Sequence, residues 1–275
     1  MIKDLRHNRV NKRFQELLKR NECGLICYIV GGYPDLDTTE EIAYTLINGG
    51  ADMIEIGIPY SDPIADGPII QEASYHSLLN GVTSDLCLRI SKNIRKKFPD
   101  IPIIAMTYSN IVLRRGLREF MLKSRNCGID GFILPDMAME EADSYTTEAA
   151  RLGLVTIFLA SPDTTSSRLE YIVSKCSGFL YMVSVYGVTG VRESFDDSTS
   201  HAIKNIKQVV GSRLPVAVGF GISNPSHAKF MVHAGADAII VGSAIIKKIK
   251  DIENKKRMLQ ELGFFTSTMK KACLR

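Results

Sequence analysis

Eight short apolar runs recur along the 275 residues of this chain, at 25–30, 53–58, 103–107, 131–134, 155–160, 179–183, 216–219 and 238–242. Between them lie amphipathic stretches with helical spacing, at 38–48, 85–97, 117–124, 140–152, 168–176, 200–210 and 226–233. Brief apolar runs separated by helical patterns mark parallel strands buried on both faces, and their strict alternation argues for βαβ crossovers. A count of eight favours a closed (β/α)8 barrel over an open doubly wound sheet. Such a barrel uses about 250 residues as one domain. With no linker, low-complexity segment or break in composition, residues 1–275 are expected to form a single domain. One further helical pattern, at 11–20, precedes the first run and has no strand partner. It is expected to cover the bottom of the barrel.

An internal echo supports one closed layer. Gly50-Ala51-Asp52, Gly128-Ile129-Asp130 and Gly235-Ala236-Asp237 each stand between a helical pattern and a strand. A glycine stops the helix in a left-handed cap, a polar turn follows, and the strand begins.

Composition excludes several function classes. A net charge of +4, with the basic residues scattered over helix surfaces, gives no sign of a nucleic-acid groove. The five histidines lie far apart and the six cysteines form no Cys-x-x-Cys pair, so a metal site is not expected and the cysteines are read as reduced. The N-terminus is too charged for a signal peptide, and no apolar run approaches the roughly 20 residues of a membrane span. The expected location is cytoplasmic.

In a barrel of this kind the chemistry sits at the C-terminal ends of the strands and in the loops that follow. The run Met53-Ile54-Glu55-Ile56-Gly57-Ile58 alternates, with the isoleucines facing the helices and Glu55 facing inward near the top. Burial raises the pKa of a carboxyl group and suits it to giving and taking a proton near neutrality. The alternative is a glutamate paired with a buried Lys or Arg, and no strand supplies an inward one. Asp66 follows on a loop stiffened by Pro59, Pro63 and Pro68, with Gly67 permitting a tight turn. It reads equally as a catalytic group or as a helix cap, whereas Asp62 reads as a turn former. Two glycine turns, 218–223 after the seventh run and 241–244 after the eighth, suit a phosphate held by backbone N–H groups and a helix dipole, or else serve tight packing. The polar segment after the sixth run, with Gly187 and Gly190 around Thr189, reads as a lid or as a plain connection.

These motifs, together with Met106-Thr107-Tyr108-Ser109-Asn110, Leu134-Pro135-Asp136 and Tyr186-Gly187-Val188-Thr189-Gly190, closely resemble the tryptophan synthase α chain family from about Phe14 to the last helices. The resemblance implies a (β/α)8 TIM barrel that cleaves indole-3-glycerol phosphate to indole and glyceraldehyde 3-phosphate. It makes Glu55 the acid/base and Asp66 the carboxylate on the indole N–H. Tyr28, Met106, Tyr108 and Tyr181 would line the indole slot. Gly190, Gly221, Gly242 and Ser243 would hold the phosphate, and Thr189 would act in the lid. It implies no cofactor in this chain, and a β chain carrying pyridoxal phosphate as partner in an α2β2 assembly. Residues 62–68, 108–110 and 136–140 would face that partner. Ala138 departs from the family's usual proline, Tyr186 from a small or polar lid residue, Val30 from a frequent threonine, and residues 161–165 from the usual turn. The rival readings are a sugar-phosphate epimerase or isomerase, a non-catalytic activator of the β chain, and a lyase that works alone.

Overall fold

The computed structural model describes residues 8–183, 195, 197–219 and 221–275. Eight strands, β1 (Gly24–Val30), β2 (Met53–Gly57), β3 (Ile103–Met106), β4 (Gly131–Ile133), β5 (Val155–Ala160), β6 (Leu180–Val183), β7 (Val216–Gly219) and β8 (Ala238–Val241), pair in parallel with their sequence neighbours. β8 returns to β1 and closes the barrel. The chain is a (β/α)8 TIM barrel. Around it run α1 (Arg9–Lys19), α2 (Leu36–Asn48), α3 (Pro68–Leu79), α4 (Ser84–Lys97), α5 (Ser109–Arg114), α6 (Leu117–Asn126), α7 (Asp143–Leu152), α8 (Ser166–Lys175), α9 (Asp197–Val210), α10 (Pro225–Ala234), α11 (Ser243–Asp251) and α12 (Lys255–Ala272). No helix among the described residues is long and apolar enough to cross a membrane.

The expected strands lie within a residue or so of the observed ones. The helical pattern 140–152 divides into a 3₁₀ turn, Met139–Glu141, and α7, with Ala142 serving as cap to both. The helical patterns singled out in the sequence do not include α3, α5, α11 and α12. In α3 apolar residues stand on all sides, so it lacks a single stripe. Ile70 and Ala73 are buried while Leu79 is exposed. Such a helix shows no period of 3.6 to read.

Side-chain alternation sorts the core into two layers. Ile26, Met53, Ile104, Ile133, Ile157, Ala217 and Ile240 point into the barrel. Ile54, Ile56 and Ile58 join the outer layer against the helices. Helix α1 plugs the bottom, as the orphan pattern before the first strand led us to expect. Its Val10, Phe14 and Leu17 continue the inner core. Asn8 accepts from the Val10 N–H to cap α1, and its amide donates to the carbonyls of Asp130 and Gly153 at 2.8 and 2.9 Å.

The three Gly-x-Asp joints share one construction. Gly50, Gly128 and Gly235 have φ of 104°, 92° and 102°, a left-handed backbone that favours glycine. Each aspartate then clamps the first residues of the preceding strand at two points. Its N–H donates to the carbonyl of Leu25, Ile103 or Val216. Its carboxylate accepts the N–H of that same residue at 2.8, 2.9 and 2.8 Å. A basic side chain completes each clamp: Lys270 on Asp52 at 2.8 Å, Arg95 on Asp130 at 2.6 Å, Lys207 on Asp237 at 2.5 Å. The polar turn of the sequence is therefore a register lock between adjacent strands at the bottom of the barrel, leaving the top free for the site.

Candidate active site

Parallel register decides which side chains meet at the top. Tyr28 of β1 lies directly across from Glu55 of β2, and Glu55 across from Ile104 of β3. One further step along the same inward row lies a cavity to which every strand contributes. Its walls are Tyr28, Glu55, Met106, Ile133, Leu159, Tyr181, Val183, Gly219 and Ile240. Ala65, Asp66 and Ile70 close one side, and Gly221, Ile222, Gly242 and Ser243 the other. Tyr28 reaches this position because Gly57, above Glu55, has no side chain. A Cβ there would fall 2.1 Å from the tyrosine hydroxyl.

Glu55 is fully buried, and neither of its carboxyl oxygens has a hydrogen-bond partner among the described residues. The reading of a structural ion pair is thereby removed: among those residues no cation meets it. An orphaned buried carboxyl group costs free energy, and far more as the charged carboxylate than as the neutral acid. Burial first, and then the negative charge of Asp66, push its pKa from 4.5 up to about 8. At neutral pH the group therefore holds a proton and faces a cavity. Burial also raises Asp66, to about 6, against the lowering effect of the Tyr108 hydroxyl bonded to it. At pH 7 the two carboxyl groups differ in charge, with Glu55 neutral and Asp66 mostly ionised.

The loop between β2 and α3 aims Asp66. The Ile64 N–H donates to the Asp62 carbonyl and the Asp66 N–H to the Pro63 carbonyl, at 2.9 and 3.0 Å. Gln71 of α3 holds the Asp66 carbonyl at 2.8 Å. Gly67 caps α3 with φ −80°, a backbone that any residue adopts, so left-handed freedom is not the reason for a glycine there. Asp62 sits at the exposed turn, bonded to Ser61. Tyr108 is buried, though it does not line the cavity. Its hydroxyl meets Asp66 Oδ2 at 3.2 Å from behind.

At the opposite wall, Gly242 starts α11 without a side-chain cap, and buried Ser243 is the helix's first residue. The neighbouring α10 is capped by its own Asn224, which accepts the His227 N–H at 3.0 Å. The α11 terminus opens on the cavity and presents a helix dipole suited to an anion. Of the residues expected for a phosphate, Gly221, Gly242 and Ser243 come together there. Gly190, Thr189 and Tyr186 lie outside the described residues. Among the lining residues that sequence reading did not mark, Ile133, Leu159, Val183 and Ile240 follow the same in-and-out alternation that singled out Glu55, and Ile70 comes from α3.

Three loops expected to face a partner are tied together at the rim. Ser109 donates its N–H and hydroxyl to Asp136 at 2.8 and 2.7 Å, and Asn110 donates to the Tyr60 hydroxyl at 3.1 Å. Ile64 is 81% exposed beside them. Ala138 has φ −65°, the angle proline would impose, so the departure there leaves the loop's path open to either residue. A roomier hollow, about 760 Å³, lies under the barrel beside α1. Of its three acids, Asp130 is engaged by Arg9 and Arg95 and Glu16 by Arg13, while Asp100 is exposed at the edge. Among the described residues no cluster of three or more side chains could hold a metal ion.

Comparison with known proteins agrees with this architecture. The family model described as Tryptophan synthase alpha chain matches residues 14–274. The tryptophan synthase alpha chain of Arabidopsis thaliana is 40% identical over 96% of this chain and 94% of its own length. That of Methanosarcina barkeri is 42% identical over 94% and 96%. Among solved structures, the alpha subunit from Legionella pneumophila superposes with a TM-score of 0.89 at 34% identity, covering 97% of this chain and 98% of its own.

Proposed function

Because this chain belongs to the tryptophan synthase alpha chain family, we propose that it is a carbon–carbon lyase cleaving indole-3-glycerol phosphate to indole and glyceraldehyde 3-phosphate. The observation that carries the reading is Glu55, without a hydrogen-bond partner among the described residues and with its pKa raised by burial, sharing one cavity with the more readily ionised Asp66. Glu55 enters the reaction protonated and gives its proton to C3 of the indole ring. The resulting charge is shared with the ring nitrogen, whose N–H is held by Asp66. A fixed anion at the point where positive charge develops lowers the barrier. Glu55, now a carboxylate, takes the proton of the C3′ hydroxyl. The C3–C3′ bond breaks, its electron pair restores the indole, and C3′ leaves as the aldehyde. One group thus serves as acid and then base, a task matched by a pKa near the working pH.

Tyr28, Met106 and Tyr181 supply flat aromatic and thioether walls for the ring. Gly221, Gly242, Ser243 and the α11 dipole take the phosphate, joined by Gly190, with Thr189 in the lid. The chain works without a cofactor of its own. Its partner is a β chain carrying pyridoxal phosphate, expected in an α2β2 assembly in the cytoplasm, and the tied loops at 62–68, 108–110 and 136–140 form the docking face. The test is turnover of indole-3-glycerol phosphate by the purified chain, with and without a β chain, for the native sequence and for Glu55→Gln. Low activity alone, strong activation by the partner and near-total loss in the variant are expected. Full turnover in Glu55→Gln removes this mechanism.

A further inference from the structure

Tyr108 stands outside the cavity and is nevertheless bound to both ends of one peptide step in the loop that carries Asp66. The Ala65 N–H donates to its hydroxyl at 3.0 Å, and the hydroxyl lies 3.2 Å from Asp66 Oδ2. A phenol has one proton. With an N–H already pointing at the oxygen, that proton is directed to Oδ2. Oδ1 of Asp66 has no hydrogen bond among the described residues and stays open to the cavity that Asp66 lines. The ring that carries the hydroxyl is itself fixed. It stacks on Tyr60 with centroids 5.0 Å apart and planes 28° from parallel. The Tyr60 hydroxyl is held by Asn110.

We propose that Tyr108 is a positioning residue, clamped by Tyr60, that engages Oδ2 of Asp66 and so presents Oδ1 to the ring N–H of the substrate. The proposal rests on the reading of Asp66 given above. It separates two tyrosine roles: Tyr28 and Tyr181 touch the cavity, whereas Tyr108 acts only through Asp66. It also bears on pH. The groups facing Asp66 are Glu55 from β2, Tyr28 from β1, Tyr181 from β6 and Tyr108 beyond β3. Of these, the Tyr108 hydroxyl alone favours the ionised form of Asp66.

Tyr108→Phe removes the oxygen and keeps the stacked ring, so the fold is retained, as a melting curve would verify. A hydrogen bond to a charged group corresponds to a loss of about 10- to 100-fold in kcat/KM at neutral pH. The acid limb of the pH–rate profile should move to higher pH in the same variant. Tyr60→Leu, which removes the clamp, should reproduce part of the loss, and Tyr60→Phe very little. The decisive measurement is a double-mutant cycle with Asp66→Asn. If Tyr108 acts through Asp66, Tyr108→Phe costs almost nothing further in the Asp66→Asn background. An unchanged acid limb and rate in Tyr108→Phe, or an equal loss in both backgrounds, overturns the proposal. Full activity in Asp66→Asn alone instead overturns the role of Asp66 itself, a distinguishable result.

Discussion

Replacing Glu55 by glutamine should stabilise the protein increasingly as pH rises, while abolishing its turnover. The magnitude follows from the buried carboxyl group. Unfolded, Glu55 ionises with a pKa of 4.5; folded, burial and Asp66 hold it at about 8. Above pH 4.5 the folded state must therefore keep a proton that the unfolded state has released. Stability contributed by this group is complete below 4.5 and is lost as pH rises through the window up to about 8. The gap between the two values amounts to about 5 kcal/mol in full, with about 1 kcal/mol lost at pH 5 and about 3 kcal/mol at pH 7. Glutamine has no such dependence. Its amide carries a burial cost of its own, about 1–3 kcal/mol if unbonded, but that cost is the same at every pH. The sign at any single pH is therefore not the test; the change with pH is. Urea unfolding of both proteins at pH 5 and pH 7 should show the variant gaining about 2 kcal/mol on the native chain between the two. In melting temperature that is roughly 4–8 °C for a chain of this size. A difference that stays constant from pH 5 to pH 8 refutes the argument, because it would mean that Glu55 carries the same charge folded as unfolded. Turnover by the variant should fall on the order of 10²–10⁴-fold at every pH.

The same two carboxyl groups predict a bell-shaped kcat/KM on indole-3-glycerol phosphate. It should fall below about pH 6 as Asp66 protonates and above about pH 8 as Glu55 loses its proton. The limbs belong to the coupled pair, so Asp66→Asn should move the alkaline limb down as well as remove the acid one. Ser243→Asp places a carboxylate on the α11 terminus, where it competes with the substrate phosphate. KM should rise ~10-fold or more with kcat less affected, as steady-state kinetics would show. Asp130→Ala removes the buried carboxylate that accepts from the Ile103 N–H and pairs with Arg95 at the barrel bottom, leaving Arg95 only its neutral carbonyl acceptors. It should cost about 3 kcal/mol in urea unfolding and leave KM unchanged in the folded fraction.

How much of this was legible in the sequence depends on whether a signal is local. The strand count, the inward side of β2 and the left-handed glycines follow from periods of two residues and from single backbone angles, so pattern reading reaches them. The aspartate in each Gly-x-Asp joint was legible only as polar. Its purpose lies in a bond to a strand 21 to 27 residues earlier, and nothing local encodes that pairing. Helix α3 packs against α11 as well as on the barrel, and a helix covered on more than one side loses its periodic mark. Tyr108 shows the same limit at the site. A tyrosine near a cavity reads as a wall, and only the positions of Ala65 and Asp66, more than 40 residues away in sequence, turn it into a support.

Glu55 was legible for the opposite reason: it contradicts its surroundings. Every other position of β2 obeys the rule for a strand buried on both faces, and a carboxyl group there has no structural compensation among the described residues. A chain selected for stability alone would place an apolar residue at that register. The residues around it are arranged to keep the cost in place rather than relieve it. Gly57 makes room for Tyr28 instead of a cation, the neighbouring strands supply mostly apolar or aromatic walls, and the charge that acts on it among the described residues is another acid. Such an arrangement holds a proton in reserve at pH 7, which a salt-bridged glutamate could not do. On the proposed mechanism, the instability at Glu55 and its capacity to protonate carbon are the same property, and a substitution that removes one must remove the other.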